Sequence, residues 1–275
     1  MRRPWIRSVV LATVVVAGPP GVGRARAAAE AAATPARSVY AIDPALDVTI
    51  TGLGIAGVVL PALFAKQLIS HHCPCDPAEV NAFDRSAIGN DNRVADGVSD
   101  VTLGLALLAP LAADALALHD RRVFYEDALV FAEALAVTGA VVTTFKYTVQ
   151  RPLPRVYDGQ DPVLASAPGG YRSFFSGHTA LVFAALGSGS MTLGYRWGAW
   201  VAPWLATVVV GSSVGLERVA AGRHFYSDVI VGALAGSAVG IALPWLHHHL
   251  DTGPVRLTLR PVVGAGLAIA AGANL

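Results

Sequence analysis

The sequence predicts an all-α protein, a six-helix membrane bundle with its polar chemistry gathered in a cleft at one end. Three observations carry this. The 275 residues are 54% hydrophobic and only 14% charged, whereas soluble domains carry nearer a quarter charged residues. Six apolar segments, 48–68, 98–118, 124–145, 179–195, 199–216 and 229–246, each approach the ~20 residues that span a bilayer. Glycine, alanine and serine are abundant within them, as in closely packed membrane helices. A very alanine-rich soluble bundle has a similar composition and is the competing reading.

Each part of the chain has its own reason. Residues 1–27 have a basic start, a short apolar run over 9–17, a Pro-Gly break and then Ala25-Arg26-Ala27. That is the pattern of a secretory signal with a small-residue cleavage site; an uncleaved anchor is the alternative. Residues 28–46 read as an Ala/Pro-rich linker, and 47–250 as one helical domain with its core over 98–246. The second and third segments contain Asp114 and Glu133. Ionisable groups at membrane depth are functional suspects by default, but both read better as structural or interfacial. His247, His248 and His249 lie beside Trp245 at a segment end and read as interfacial residues. The tail 251–275 alternates at Val255, Leu257 and Leu259 and has glycines at 264 and 266, which predicts a short β-hairpin.

The net charge is +1, so no global field attracts nucleic acid, and no nucleic-acid partner is expected. Cys73 and Cys75 stand beside His71 and His72 in HHCPCDP. Four ligands so close together rarely wrap one tetrahedral ion, so no metal site is expected. A polar loop with an oxidised cysteine pair is the plainer reading.

Counting the segments as an alternating bundle places the polar groups. Segment three ends at Lys146, and segment four begins just after Ser176-Gly177-His178. Segment five ends near Arg218, and segment six begins near Asp228. All these groups therefore share one end. The opposite end receives the short links at Arg121, Arg122 and Arg196. Convergent cations in a partly desolvated cleft bind an anion, and phosphate is the commonest candidate. Ser176 and Gly177 would offer free backbone N–H groups at a helix N-terminus. His224 and Asp228 are four apart and share one helical face. A carboxylate on one imidazole nitrogen would free the other to attack. His178 is then placed to protonate a leaving oxygen.

These residues give the chain a resemblance to the type-2 phosphatidic acid phosphatase superfamily, whose core is shared with vanadium haloperoxidases and bacterial acid phosphatases. The family pattern is Lys-x6-Arg-Pro, Pro-Ser-Gly-His and Ser-Arg-x5-His-x3-Asp. Here KYTVQRPLP supplies Lys146 and, after six intervening residues, Leu153-Pro154. FSGH supplies Ser176, Gly177 and His178, and ERVAAGRHFYSD supplies Arg218, His224 and Asp228. Three positions depart from the pattern: Phe175 replaces a proline, Glu217 a serine and Leu153 the motif arginine. Arg151 and Arg155 flank Leu153 and are candidates to substitute. Losing one charge-assisted contact there would cost about 1.5–3 kcal/mol.

The resemblance implies a metal-independent phosphatase without a cofactor. His224 would be the nucleophile, Asp228 its orienting carboxylate and His178 the general acid. Lys146, Ser176, Gly177 and Arg218, with Arg151 and Arg155, would bind the phosphate. The implied substrate is a lipid phosphate or pyrophosphate, the other partner is the bilayer, and the intermediate is a phosphohistidine. The implied location is the inner membrane, multi-pass, with the site facing the periplasm or exterior, because basic short links favour the cytoplasm. An exported soluble acid phosphatase, a vanadate-dependent haloperoxidase, and a transporter or non-catalytic membrane protein that retains the cleft are the alternatives.

Overall fold

The computed structural model describes residues 38–70, 73, 75–159 and 161–252, and as backbone alone 250–252, 255–262 and 266–273. The signal-like segment 1–27, most of the linker, and His71 and His72 lie outside the described residues. Among the described residues six long helices form the bundle: α1 (Pro44–Leu63), α2 (Arg93–Ala117), α3 (Arg121–Val149), α4 (Gly177–Trp197), α5 (Val201–Ala220) and α6 (Tyr226–Thr252). They fall on the six apolar segments.

The helix starts follow from side-chain caps. Asp43, Asn92, Asp120 and Ser176 precede α1, α2, α3 and α4, and each accepts backbone N–H groups of the first turn. This satisfies donors that have no intrahelical partner. Gly198 closes α4 with φ of 66°, a left-handed conformation that glycine adopts without steric cost. Strands β1 (Val255–Val262) and β2 (Gly266–Ala273) pair antiparallel.

Helix α4 is the axis of the bundle and packs against α2, α3, α5 and α6, while α1 lies outside on α3. Thirteen of its 21 residues are buried, which explains its composition. A helix surrounded by protein packs best with small residues and needs no continuous apolar surface. Four helices, α1, α2, α3 and α6, are long and apolar enough to cross a membrane. The sequence reading placed α4 and α5 among the spanning segments as well. Among the described residues neither has the sustained apolar stretch that the other four have, α4 because of its small and polar interior residues.

The closest contact in the bundle is between α4 and α6. Gly232, Gly236 and Gly240 recur every fourth residue and face the backbone of Ser176, Ala180 and Ala184. A Cβ on Gly236 would lie 2.1 Å from the Ala180 carbonyl oxygen. The same close approach brings the start of α4 against the start of α6: the Ser176 amide donates to the Asp228 carbonyl at 3.1 Å. Outward, α1, α2, α5 and α6 expose large apolar side chains, among them Leu53, Leu63, Leu105, Leu116, Val209 and Leu234. Trp197, Trp200 and Trp245 are exposed toward the other end, as interfacial tryptophans are in membrane proteins.

Candidate active site

The ends of α3 and α5 and the starts of α2, α4 and α6 meet at one end of the bundle. His224 sits in the link between α5 and α6. Gly222, two residues earlier, has φ of 65°, and a Cβ there would lie 2.0 Å from the Asn90 carbonyl oxygen. Only glycine allows the chain to turn against that backbone and deliver His224 inward. The imidazole is buried, and its Nδ1 lies 2.8 Å from the Ser173 carbonyl oxygen. A carbonyl only accepts, so Nδ1 carries the proton and Nε2 is the lone-pair nitrogen.

Asp228 was expected to hold that imidazole directly. Its Oδ2 is 3.8 Å from His224 Nδ1, too far for a hydrogen bond. The carboxylate instead accepts from the Ser173 hydroxyl at 2.5 Å and the Phe225 amide at 2.9 Å through Oδ2, and from Arg151 at 2.7 Å through Oδ1. Asp228 and the carbonyl that holds His224 are thus joined through Ser173.

Burial pushes the His224 imidazole down to about 4, with the nearby Lys146 and Arg218 charges acting in the same direction. The ring is therefore neutral near pH 7. Unfolded histidine titrates near 6.5, so the unfolded chain binds the extra proton first on acidification. The stability linked to neutral His224 is complete above about pH 6.5 and is lost as pH falls toward 4. Thermal unfolding in detergent at pH 7, 5.5 and 4.5 should show a falling Tm, and His224→Gln should flatten that fall. An equal slope in both proteins would contradict the assignment.

The phosphate-binding candidates fall into two groups. Lys146 ends α3 beside the start of α4, its Cε 3.7 Å from where a Gly177 Cβ would be, and its Nζ donates to the Arg172 carbonyl at 2.5 Å. Ser176 is the N-cap of α4, with Gly177 and His178 following in its first turn. Arg218 donates through Nη1 to Asp96 at 2.8 Å and Asp100 at 3.3 Å. Its buried Nε has no hydrogen-bond partner among the described residues. His178 Nε2 is 2.7 Å from the same Asp100 oxygen. Lys146, the α4 N-terminus, His178, Arg218 and His224 are thus brought together.

Arg151 and Arg155 are differently placed. Arg151 pairs with Asp84 at 2.8 Å and Asp228 at 2.7 Å, and its guanidinium lies 4.0 Å from the centre of the Phe225 ring. Arg155 pairs with Asp91. Leu153, where the family pattern has arginine, is buried. Phe175 is also buried, packed against Phe145 and Phe174.

Sequence reasoning missed Asp84, Asp96 and Asp100. Burial alone would raise the Asp84 carboxyl, but hydrogen bonds from Arg151, the Ser227 hydroxyl and amide, and Asn81 outweigh it and hold it at about 2. Nothing in the local pattern marks Asp84, which lies in a connection. Asp96 and Asp100 did carry a signal. They are four apart at the start of α2, and alternation places that end with the other polar groups.

The far end of the bundle also required corrections. Arg196, read as a short-link charge, has a buried side chain that holds Asp127 with two bonds of 2.6 Å. His247, read as interfacial, is buried and bonded to Glu133 at 2.8 Å. His248 stacks on Tyr195 with ring centres 3.8 Å apart. Away from that end, Cys73 and Cys75 form a disulfide, in line with the oxidised-pair reading.

Comparison with known proteins gives a family match over the region that holds these residues. Residues 127–251 match the PAP2 superfamily. A lipid A 1-phosphatase of Porphyromonas gingivalis is 32% identical over 114 residues, covering 41% of this chain and 22% of that protein. The chain thus spans about a fifth of the length of that curated relative. No solved structure matches the chain significantly. The matched region carries Lys146, Ser176-Gly177-His178, Arg218, His224 and Asp228 together at one bundle end, and over that region the chain is similar to the PAP2 superfamily.

Proposed function

We propose that the protein is a membrane phosphatase acting on a lipid phosphate or pyrophosphate monoester through a phosphohistidine. The observation that carries this reading is the neutral His224, whose Nδ1–H is held by the Ser173 carbonyl. Its lone-pair nitrogen stands among Lys146, Arg218 and the α4 N-terminus. Nε2 attacks phosphorus, and the bond from phosphorus to the lipid oxygen breaks. Protonated His178 gives its proton to that oxygen, and the lipid alcohol leaves. Water then attacks phosphorus and gives its proton to His178, and the P–N bond breaks to return the electron pair to Nε2. Lys146, Arg218, Ser176 and the Gly177 amide stabilise the phosphoryl oxygens throughout. Asp228 acts as an anchor for Ser173 and Arg151.

The exposed apolar faces of α1, α2, α5 and α6 favour this over a soluble exported phosphatase or haloperoxidase. A transporter would place its charges near mid-membrane, whereas these stand at helix ends. The substrate panel is phosphatidic acid, phosphatidylglycerol phosphate, an isoprenyl pyrophosphate and, from the matched relative, a lipid A 1-phosphate. Purified protein in detergent should release phosphate from at least one without added divalent metal. Release from none of them, with the protein folded, would refute the reading.

The catalytic end is proposed to face the periplasm or exterior across the inner membrane. The support is the basic start of α3 at the other end, where Arg122 is exposed and pairs with Glu126 at 3.0 Å. Arg196 adds nothing, being paired internally. A reporter fused after Gly198 should be active in the cytoplasm; an exterior reporter would reverse the orientation.

A further inference from the structure

Three ionisable side chains meet away from the reaction centre. Asp47 comes from the first turn of α1, Glu133 from the middle of α3 and His247 from the last part of α6. They are 2%, 1% and 4% exposed. One ligand atom of each lies within 4.8 Å of the other two. Glu133 precedes Lys146 by 13 residues on α3, which is about 20 Å along a helix. The proposed reaction uses none of the three.

The hydrogen bonds fix the state of the histidine. His247 Nδ1 is 2.9 Å from the Ala41 carbonyl oxygen. Nδ1 must therefore carry a proton, and a neutral ring presents its lone pair at Nε2. That nitrogen faces Glu133 Oε2 at 2.8 Å. A lone pair and a carboxylate oxygen repel at this distance unless a positive charge is shared between them. Asp47 adds a second carboxylate, and its Oδ2 accepts only from the Asp43 amide, at 3.0 Å, among the bonds found in the described residues. No lysine or arginine forms a salt bridge with Asp47 or Glu133 among the described residues; the one ion-pair partner of Glu133 is His247. Two ionised carboxylates here need two positive charges, and an imidazolium supplies one; without a further cation one carboxyl must hold a proton. Uncompensated charge in such a place is strongly unfavourable.

A divalent cation supplies both charges and leaves Nε2 unprotonated. Imidazole nitrogen and carboxylate oxygens are zinc donors at about 2.0–2.2 Å, and neighbouring ligand atoms around such an ion stand roughly 3 Å apart. The Ala41 carbonyl on the other ring nitrogen is the support that metal-bound histidines usually have. We propose that Asp47, Glu133 and His247 bind one Zn2+ ion, which ties the outer helix α1 to α3 and α6. It is a structural ion at a distance from the phosphate site, so the proposed reaction remains metal-independent.

The test uses the full chain in detergent, stripped with a chelator and then given Zn2+. The wild type should retain about one Zn2+ per chain through gel filtration, by elemental mass spectrometry, and its Tm should rise on Zn2+ addition. Glu133→Gln and Asp47→Asn should each weaken retention about tenfold or more and abolish the Tm response. Wild-type protein that takes up no Zn2+ overturns the proposal and leaves a shared proton as the neutralising charge. Zn2+ retained equally by the wild type and both variants also overturns it, because the ion would then lie elsewhere. The wild-type measurement stands even if a variant fails to fold.

Discussion

His224→Ala is expected to lower phosphate release from the best lipid substrate on the order of 10³-fold or more. The reason is specific to one nitrogen. The proposed route forms a bond between Nε2 and phosphorus, and alanine offers no replacement atom. Lys146, Arg218 and the α4 amides would still bind the phosphate, so substrate affinity should fall much less than turnover. A rapid acid-quench with labelled substrate should trap a phosphoenzyme in the wild type and none in the variant. Asp228→Asn should be milder, since Asp228 stands 3.8 Å from His224 and acts through Ser173. Full activity in His224→Ala would sink the nucleophile assignment. Equal losses in both variants would instead argue that Asp228 moves onto the imidazole when substrate binds.

The second large effect concerns the bundle itself. Gly236→Val should prevent stable folding or lower Tm by about 10 °C or more. The added Cβ would lie 2.1 Å from the Ala180 carbonyl oxygen and 2.8 Å from its carbonyl carbon. Those are backbone atoms, so no rotamer change relieves the clash, and α4 and α6 must separate. Separation breaks the packing that holds the Ser176 amide against the Asp228 carbonyl, so activity should vanish with stability. Gly104→Ala is the control, because nothing lies within 4 Å of a Cβ there, and it should leave the melting curve nearly unchanged. Thermal melts in detergent, read by gel filtration, separate the two outcomes. A folded, thermally normal Gly236→Val protein would show that the helices are less closely packed than described.

Much of this was legible in the sequence. The apolar runs marked six helices, and alternation alone put Lys146, Ser176, His178, Arg218 and His224 at one end. What stayed hidden depends on side-chain direction. A histidine four residues before an aspartate shares a face with it, but spacing does not say whether the two bond. Here the Ser173 hydroxyl and the Phe225 amide take Asp228 Oδ2, and the Ser173 carbonyl takes His224. Asp84 was hidden for a related reason: its partners Arg151 and Ser227 are 67 and 143 residues away in the chain. His247 was misread because a histidine run beside tryptophan looks interfacial until Glu133 is seen opposite it. The composition of α4 was legible, its small residues marking a closely packed helix. A central helix needs small residues more than greasy ones, so mean hydropathy understates how deeply it is buried.

The Asp100 carboxylate has a consequence for how the cleft takes up any ligand. One of its oxygens bonds both His178 and Arg218, at 2.7 and 3.3 Å, while the side chain itself is 61% exposed. Arg218 and His178 are already answered by an anion on a solvent-facing side chain. Under the proposed function, entry of a phosphate would be an exchange of one negative group for another, so the cleft is not left as bare positive charge between ligands. Such a site discriminates by net charge before it discriminates by shape. A neutral phosphotriester of the same size would gain nothing by displacing Asp100, whereas a dianion would replace both of its bonds and could also reach Arg218 Nε, which has no hydrogen-bond partner among the described residues.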